Sequence, residues 1–180
     1  YIDLIIPRGS NSLVKYIKSN TKIPVLGHAD GICHIFIDES ANTEKTIKIC
    51  IDAKCQYPSA CNSVETILIH KNAVNRIYPQ LSTSLINAGV KIISDSELHK
   101  IQNNSELATE KDWSTEYGEK IVSIKQVASV DEAIDHINKY GSGHTDSIIT
   151  EDKQNADKFM TYVDSAGVYH NISTRFADGF

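Results

Sequence analysis

The stretch Ile121-Val122-Ser123-Ile124-Lys125-Gln126-Val127, with Ser129-Val130-Asp131-Glu132 after it and Asp146-Ser147-Ile148-Ile149 further on, decides the fold class. Its first part is a β-branched run of strand length. Ser129 and Glu132 stand at capping-box spacing and open a helix that turns Ala133, Ile134 and Ile137 inward. Asp146 to Ile149 returns to strand. Two strands joined by a helix require a right-handed crossover and parallel pairing.

The same alternation extends in both directions. Upstream, Cys33 to Ile37 is strand-like, and Thr43 to Lys54 is helical with Ile47, Cys50 and Ile51 at i, i+3, i+4 and Cys55 closing it. Thr66 to Ile69 is strand. Pro79 fits the first turn of the next helix, whose inner face is Leu81, Leu85 and Ile86 and whose stop is Gly89. Val90 to Ile93 is strand again, and residues 95 to 120 are polar, a short helix and then a loop. At the start of the chain, Ile2 to Ile6 reads as a buried strand ended by Pro7-Arg8-Gly9-Ser10, then a helix from Ser12 to Lys18 with Leu13, Tyr16 and Ile17 on one face, then a short strand from Ile23 to Leu26. At the other end, Thr150 is the expected N-cap of a helix packing Ala156, Phe159, Met160 and Val163, and Gly167 to His170 is a final strand. The expected fold is α/β, a mainly parallel sheet covered by helices, without internal repeats or low-complexity segments.

Composition narrows the function classes. With 180 residues, 41% hydrophobic and 23% charged, the chain is ordinary for a globular protein and needs neither metal nor disulfides to hold a core. Eighteen basic against 23 acidic residues, without a basic block, argue against nucleic-acid binding. Apolar runs of three or four residues are far short of a membrane span, and no signal-peptide pattern is visible. The four cysteines, Cys33, Cys50, Cys55 and Cys61, lack zinc-ligand spacing and suit a reducing compartment. Cys33 and Cys50 read as small apolar residues. Cys61 differs, because Pro58-Ser59-Ala60 before it and Asn62-Ser63 after it form a small polar stretch with no apolar period. It is the candidate nucleophile.

The segment Lys54-Cys55-Gln56-Tyr57-Pro58-Ser59-Ala60-Cys61-Asn62-Ser63-Val64-Glu65-Thr66 resembles the active-site segment of γ-glutamyl phosphate reductases, members of the aldehyde dehydrogenase superfamily. Asp3-Leu4-Ile5-Ile6-Pro7-Arg8-Gly9, Pro24 to His34, Thr115-Glu116-Tyr117-Gly118, Gly143-His144-Thr145-Asp146 and Asn171 to Gly179 agree in order. Lys54-Cys55, Asp135-His136-Ile137 and Lys139-Tyr140-Gly141-Ser142 are most similar to the reductase half of bifunctional δ-1-pyrroline-5-carboxylate synthase.

The resemblance implies NADPH-dependent reduction of γ-glutamyl phosphate to glutamate semialdehyde and phosphate, a step of proline synthesis. A cysteine thioester carries the acyl group, and Cys61 is that cysteine. The N–H groups of Cys61 and Asn62 would face the oxyanion. Glu116 matches the superfamily glutamate that contacts the cofactor ribose. Arg8, Gly9 and Ser10, between strand and helix, are candidate cofactor contacts. His28, Asn171 and Arg175 are candidate substrate contacts, the last two placed at the carboxyl ends of the strands. His144 and Asp146 are expected to tie a loop to the sheet and Trp113 to pack. Oxidising aldehyde dehydrogenases carry a water-activating Glu in Glu-Leu-Gly-Gly, but here the stretch is Val25-Leu26-Gly27-His28, which disfavours an ordinary aldehyde dehydrogenase.

Residues 1–22 are expected to end a Rossmann-like cofactor domain and 23–180 to form the catalytic domain, both ends being cut from a longer polypeptide. That polypeptide would be a homo-oligomer of the cytoplasm or mitochondrion, fused to or associated with glutamate 5-kinase. The chain alone is expected to be inactive, and a structural or assembly module is the non-enzyme alternative. No metal ligand set is visible.

Overall fold

Apolar side chains alternate within single strands, and so build a sheet with two buried faces. The computed structural model describes residues 1–9, 11–27 and 30–178, so Ser10 and His28 lie outside the described residues. The elements run α1 (Asn11–Asn20), β1 (Cys33–Ile37), α2 (Thr43–Cys55), β2 (Val64–His70), α3 (Lys71–Asn87), β3 (Lys91–Ser94), α4 (Ser96–Ile101), β4 (Glu106–Leu107), β5 (Ile121–Val127), α5 (Val130–Tyr140), β6 (Thr145–Ile149), α6 (Lys153–Tyr162) and β7 (Gly167–His170). Short 3-10 turns cover Glu110–Ser114 and Thr174–Asp178. The chain divides into two compact units, Tyr1–Asp30 and Gly31–Phe180.

In the larger unit the described strands form one sheet in the order β4-β3-β5-β2-β1-β6-β7, with every pairing parallel. The expected α/β class is what the chain forms. Ile35 and Ile37 of β1 and Ile67 and Ile69 of β2 face α2 and α3, whereas Phe36, Leu68 and Ile148 face α5 and α6. The β1–β2 ladder has one irregularity. Cys33 stands opposite Val64 and His34 opposite Thr66, which leaves Glu65 as an extra, bulged residue.

Pro79 lies inside α3, not in its first turn. A mid-helix proline costs about 3 kcal/mol. The turns before it bury Ala73, Val74, Ile77 and Tyr78, at roughly 1.5–3 kcal/mol for each large side chain, so burial wins. Ile86 and Met160 are more exposed than expected, at 37% and 48%, while Leu81, Leu85, Ala156, Phe159 and Val163 are buried as read. Asp152, not Thr150, caps α6 and accepts from the N–H of Gln154 at 2.7 Å. The Thr150 hydroxyl is instead buried and donates to Asp38 at 2.6 Å. Residues 95 to 120 hold more order than expected: α4, the two-residue β4 and one 3-10 turn.

In the smaller unit the two expected strands reduce to one isolated bridge between Ile5 and Val25. Ile2, Leu4, Ile6 and Leu26 are exposed, because so short a unit lacks the surface to bury both sides of a ribbon. α1 buries Val14 and leaves Leu13 and Tyr16 exposed. Val14 occupies the space a side chain on Gly27 would take, its Cγ1 lying 2.3 Å from where a Cβ would stand.

Under α5, His136 is enclosed by the rings of Tyr140, His34 and Trp113 at 4.6, 5.6 and 5.8 Å. Lys125 Nζ stands 3.3 Å from its Nδ1. Burial pushes this imidazole down to about 3, helped by His34, Lys125 and Lys139. The unfolded chain takes up a proton at His136 near pH ~6.5, while the folded chain does not until near its lowered value. The stability this group contributes is therefore complete above pH ~6.5 and is lost on acidification toward pH ~3, at about 1.4 kcal/mol per unit. In urea unfolding between pH 6.5 and 4.5, the unaltered chain is expected to change more steeply toward instability on acidification than His136→Phe, the two slopes differing by about 1.4 kcal/mol per unit. Equal slopes in both proteins would remove His136 as the source.

Candidate active site

Between α2 and β2 the chain must reverse, and residues 56–63 do so in tight turns. Ala60 N–H donates to Tyr57 O at 3.1 Å and Ser63 N–H to Ala60 O at 2.9 Å. Cys61 is exposed on this turn. Its backbone is held from below: the Cys33 thiol donates to the Cys61 carbonyl at 3.3 Å. A Cβ on Gly31 would lie 2.0 Å from that same carbonyl oxygen, so only glycine permits the approach. Burial pushes the Cys33 thiol up, with Asp146 acting in the same sense, so it is a donor and not a thiolate. Cys50, fully buried, is pushed up too.

Asn62 is buried beside Cys61. Its amide Nδ2 donates to Asp178 at 2.7 Å, and its oxygen accepts from Arg175. Arg175 also donates to Gln56 at 2.9 Å, pairs with Asp178 at 2.5 Å and lies 5.8 Å from the Tyr57 ring centre. An open cavity of about 360 Å³ adjoins them, lined by Asp52, Gln56, Ile172, Ser173, Arg175, Phe176 and Asp178.

These groups sit at the amino-terminal ends of β1 and β2, not at the carboxyl ends expected for Asn171 and Arg175. The chain turns back after β7, passing Ser147, whose hydroxyl donates to Ile172 O at 2.7 Å. That return carries Arg175 to Asn62. Asn171 stays behind at the carboxyl end, where its left-handed φ of 57° lets the side chain bond Thr150 N–H and O at 3.0 and 2.9 Å. The carboxyl ends are further closed by Asp38, which takes hydrogen bonds from Thr150, Ser40 and Asn155.

Beneath the turn lies a buried ion pair that sequence reading did not single out. Lys54 Nζ meets Glu65 Oε2 at 2.8 Å, with the two side chains 0% and 1% exposed. Glu65 Oε1 accepts the Gly118 N–H at 3.3 Å. Burial pushes the Glu65 carboxyl up to about 7 against the pull of Lys54 and of the Gly118 and Tyr117 N–H groups. Burial likewise pulls Lys54 down. The signal was present: a lysine four residues after inward-facing Cys50, and a glutamate inside Val64-Glu65-Thr66-Ile67-Leu68.

Glu116 is half-buried in the loop that Glu65 holds, and so reaches the same end of the sheet as the Cys61 turn. Arg8 and Gly9 belong to the smaller unit. His144 and Asp146 do not pair with each other. His144 Nδ1 stands 2.8 Å from the Thr145 hydroxyl and 4.0 Å from Cys33 Sγ. Asp146 accepts the His34 N–H at 2.6 Å and faces its Nδ1 at 3.2 Å, tying β6 to β1. Trp113 is buried packing, as expected. Among the described residues no His, Cys, Asp and Glu cluster is placed to hold a metal, and no helix is long and apolar enough to cross a membrane.

No protein-family model matches the chain. An acetylating aldehyde dehydrogenase from Geobacillus thermoglucosidasius superposes with a TM-score of 0.72 at 22% identity, over 97% of this chain and 47% of that one. The fold is thus that of an aldehyde dehydrogenase-like catalytic domain. A crystal structure of γ-glutamyl phosphate reductase from Thermotoga maritima superposes at 0.96 with 44% identity, over 99% of this chain and 43% of that one. The γ-glutamyl phosphate reductase of Brachyspira hyodysenteriae is 62% identical over 180 residues, 100% of this chain and 42% of that protein. The chain is homologous along its whole length to a stretch of γ-glutamyl phosphate reductases, and spans less than half the length of these relatives.

Gly31→Ala is expected to cost about 3 kcal/mol or more in urea unfolding, because its methyl meets backbone, not a side chain that can move away. Stability within about 0.5 kcal/mol of the unaltered chain would show that the turn shifts freely.

Proposed function

We propose that this chain is the nucleophile-bearing part of an NADPH-dependent γ-glutamyl phosphate reductase. The observation that carries the reading is Cys61, exposed on a turn fixed by Gly31, Cys33 and Asn62, in a sequence 62% identical to such a reductase. The Cys61 thiolate attacks the acyl carbon of the acyl phosphate, the C–O bond to phosphate breaks, and a thioester remains. The N–H groups of Cys61 and Asn62 are the donors assigned to the oxyanion. Asn62 holds Arg175 beside the turn, where its guanidinium meets the substrate's carboxylate or phosphate. Arg175 already shares its charge with Asp178, so substrate must compete for it.

The Glu116 carboxylate fits a cofactor ribose, which offers hydroxyl donors to an acceptor held at the same end of the sheet as the Cys61 turn. Arg8, Gly9 and Ser10 are the further cofactor contacts, at the end of the cofactor domain that residues 1–22 represent in this reading. NADPH, when bound, supplies the hydride that reduces the thioester to the aldehyde. Val25 stands where a water-activating glutamate would assist hydrolysis, which favours reduction over ordinary aldehyde oxidation. His28 and Asn171 remain candidate substrate contacts, and a homo-oligomer with glutamate 5-kinase fused or associated is the assembly proposed.

In the protein that carries this chain, Cys61→Ser is expected to lower semialdehyde formation by about three orders of magnitude or more while the fold is kept. Turnover near that of the unaltered protein would sink the assignment. Titrated alone with NADPH and followed by fluorescence, the 180-residue chain is expected to bind weakly or not at all. A dissociation constant in the low micromolar range would contradict the division into cofactor and catalytic parts.

A further inference from the structure

Glu65 is the residue that the β1–β2 register leaves over, and the bulge turns its side chain out of the ladder. Its carboxylate then meets α2 on one side and the Glu116 loop on the other. Oε2 takes Lys54 at 2.8 Å, on the last turn of α2 immediately before the Cys61 turn. Oε1 takes the Gly118 N–H at 3.3 Å, two residues beyond Glu116.

We propose that Glu65 is a positioning residue, which clamps the Cys61 turn and the Glu116 loop to one another so that thiol and cofactor ribose keep a fixed separation. The inference rests on the roles assigned above to Cys61 and Glu116. Two observations and one general argument support it. Gly118 has φ of 62° with no atom within 4 Å of a would-be Cβ, so the hydrogen bond and not packing fixes the loop there. Tyr117 is held from its other side, its hydroxyl bonding Asp112 at 2.9 Å and Ser123 at 2.8 Å, so the loop is gripped at two successive residues. Replacing a buried ion pair by apolar residues of the same volume is often neutral or stabilising, so packing alone is a weak reason for two charges.

The test uses the protein that carries this chain and compares Lys54→Met/Glu65→Gln with Lys54→Met/Glu65→Leu. Both remove the two charges together, so neither strands a buried charge. Only the glutamine keeps an acceptor for the Gly118 N–H. The KM for NADPH of the leucine variant is expected about tenfold above that of the glutamine variant, with the KM for the acyl phosphate alike in both and both variants folded at the assay temperature. Equal NADPH KM values in the two folded variants overturn the clamp. Hydrogen exchange at the Gly118 amide of the unaltered protein gives a second reading that needs no leucine variant. Slow exchange supports the clamp, and exchange at the rate of a free loop amide overturns it. An unaltered protein that reduces no acyl phosphate would refute the functional reading instead, and Gly118 exchange then decides the clamp alone.

Discussion

The ladder between β1 and β2 carries one residue too many, and the site is built around that surplus. Glu65 cannot pair with β1, so its carboxylate leaves the sheet and is buried against Lys54. The backbone just before it rises past Gly31, where no side chain fits. Breaking such a pair from one side costs about 3–5 kcal/mol. Together with the hydrogen bonds within the turn and those of Asn62, the ion pair, the thiol hydrogen bond and the close approach of Gly31 leave the exposed cysteine little freedom.

All strands run parallel, yet the two ends of the sheet differ in character. The carboxyl ends are closed by hydrogen bonds within the chain, through Asp38, Thr150 and Asn171. The amino ends carry the exposed thiol, the guanidinium of Arg175 and an open cavity. The usual rule for open α/β sheets places ligands at the carboxyl ends. Here the chain returns after β7 and brings its last described residues to the opposite end.

Fold class was legible because Ile121 to Val127 and its helix follow period and capping rules that local chemistry sets. Elements governed by tertiary contact were less legible. Pro79 reads locally as a helix start, and only the burial of Ile77 and Tyr78 shows why the helix precedes it. Thr150 has the chemistry of a cap, and its hydroxyl does accept the Asp152 N–H at 2.9 Å while donating to Asp38, but the helix starts two residues later, where Asp152 takes the first free N–H groups. Cys61 stood out through the small polar residues around it. Lys54 and Glu65 did not, since charges in apolar runs read as noise until a bulge brings them together. Cys33 read as a small apolar residue because its polar contacts, the Cys61 carbonyl and the His144 ring, come from positions far away in sequence.

Asn62 receives its partners from Arg175 and Asp178, more than a hundred positions along the chain. During vectorial synthesis the cysteine turn and its neighbouring strands emerge long before those partners exist. The surroundings of the exposed thiol are therefore incomplete until residues 175–178 have been made and have folded back onto Asn62. A nascent or partly unfolded chain carries the cysteine without the groups that orient Asn62. The finished site is in this way tied to a contact of long sequence separation, and an incompletely folded molecule presents a thiol without it.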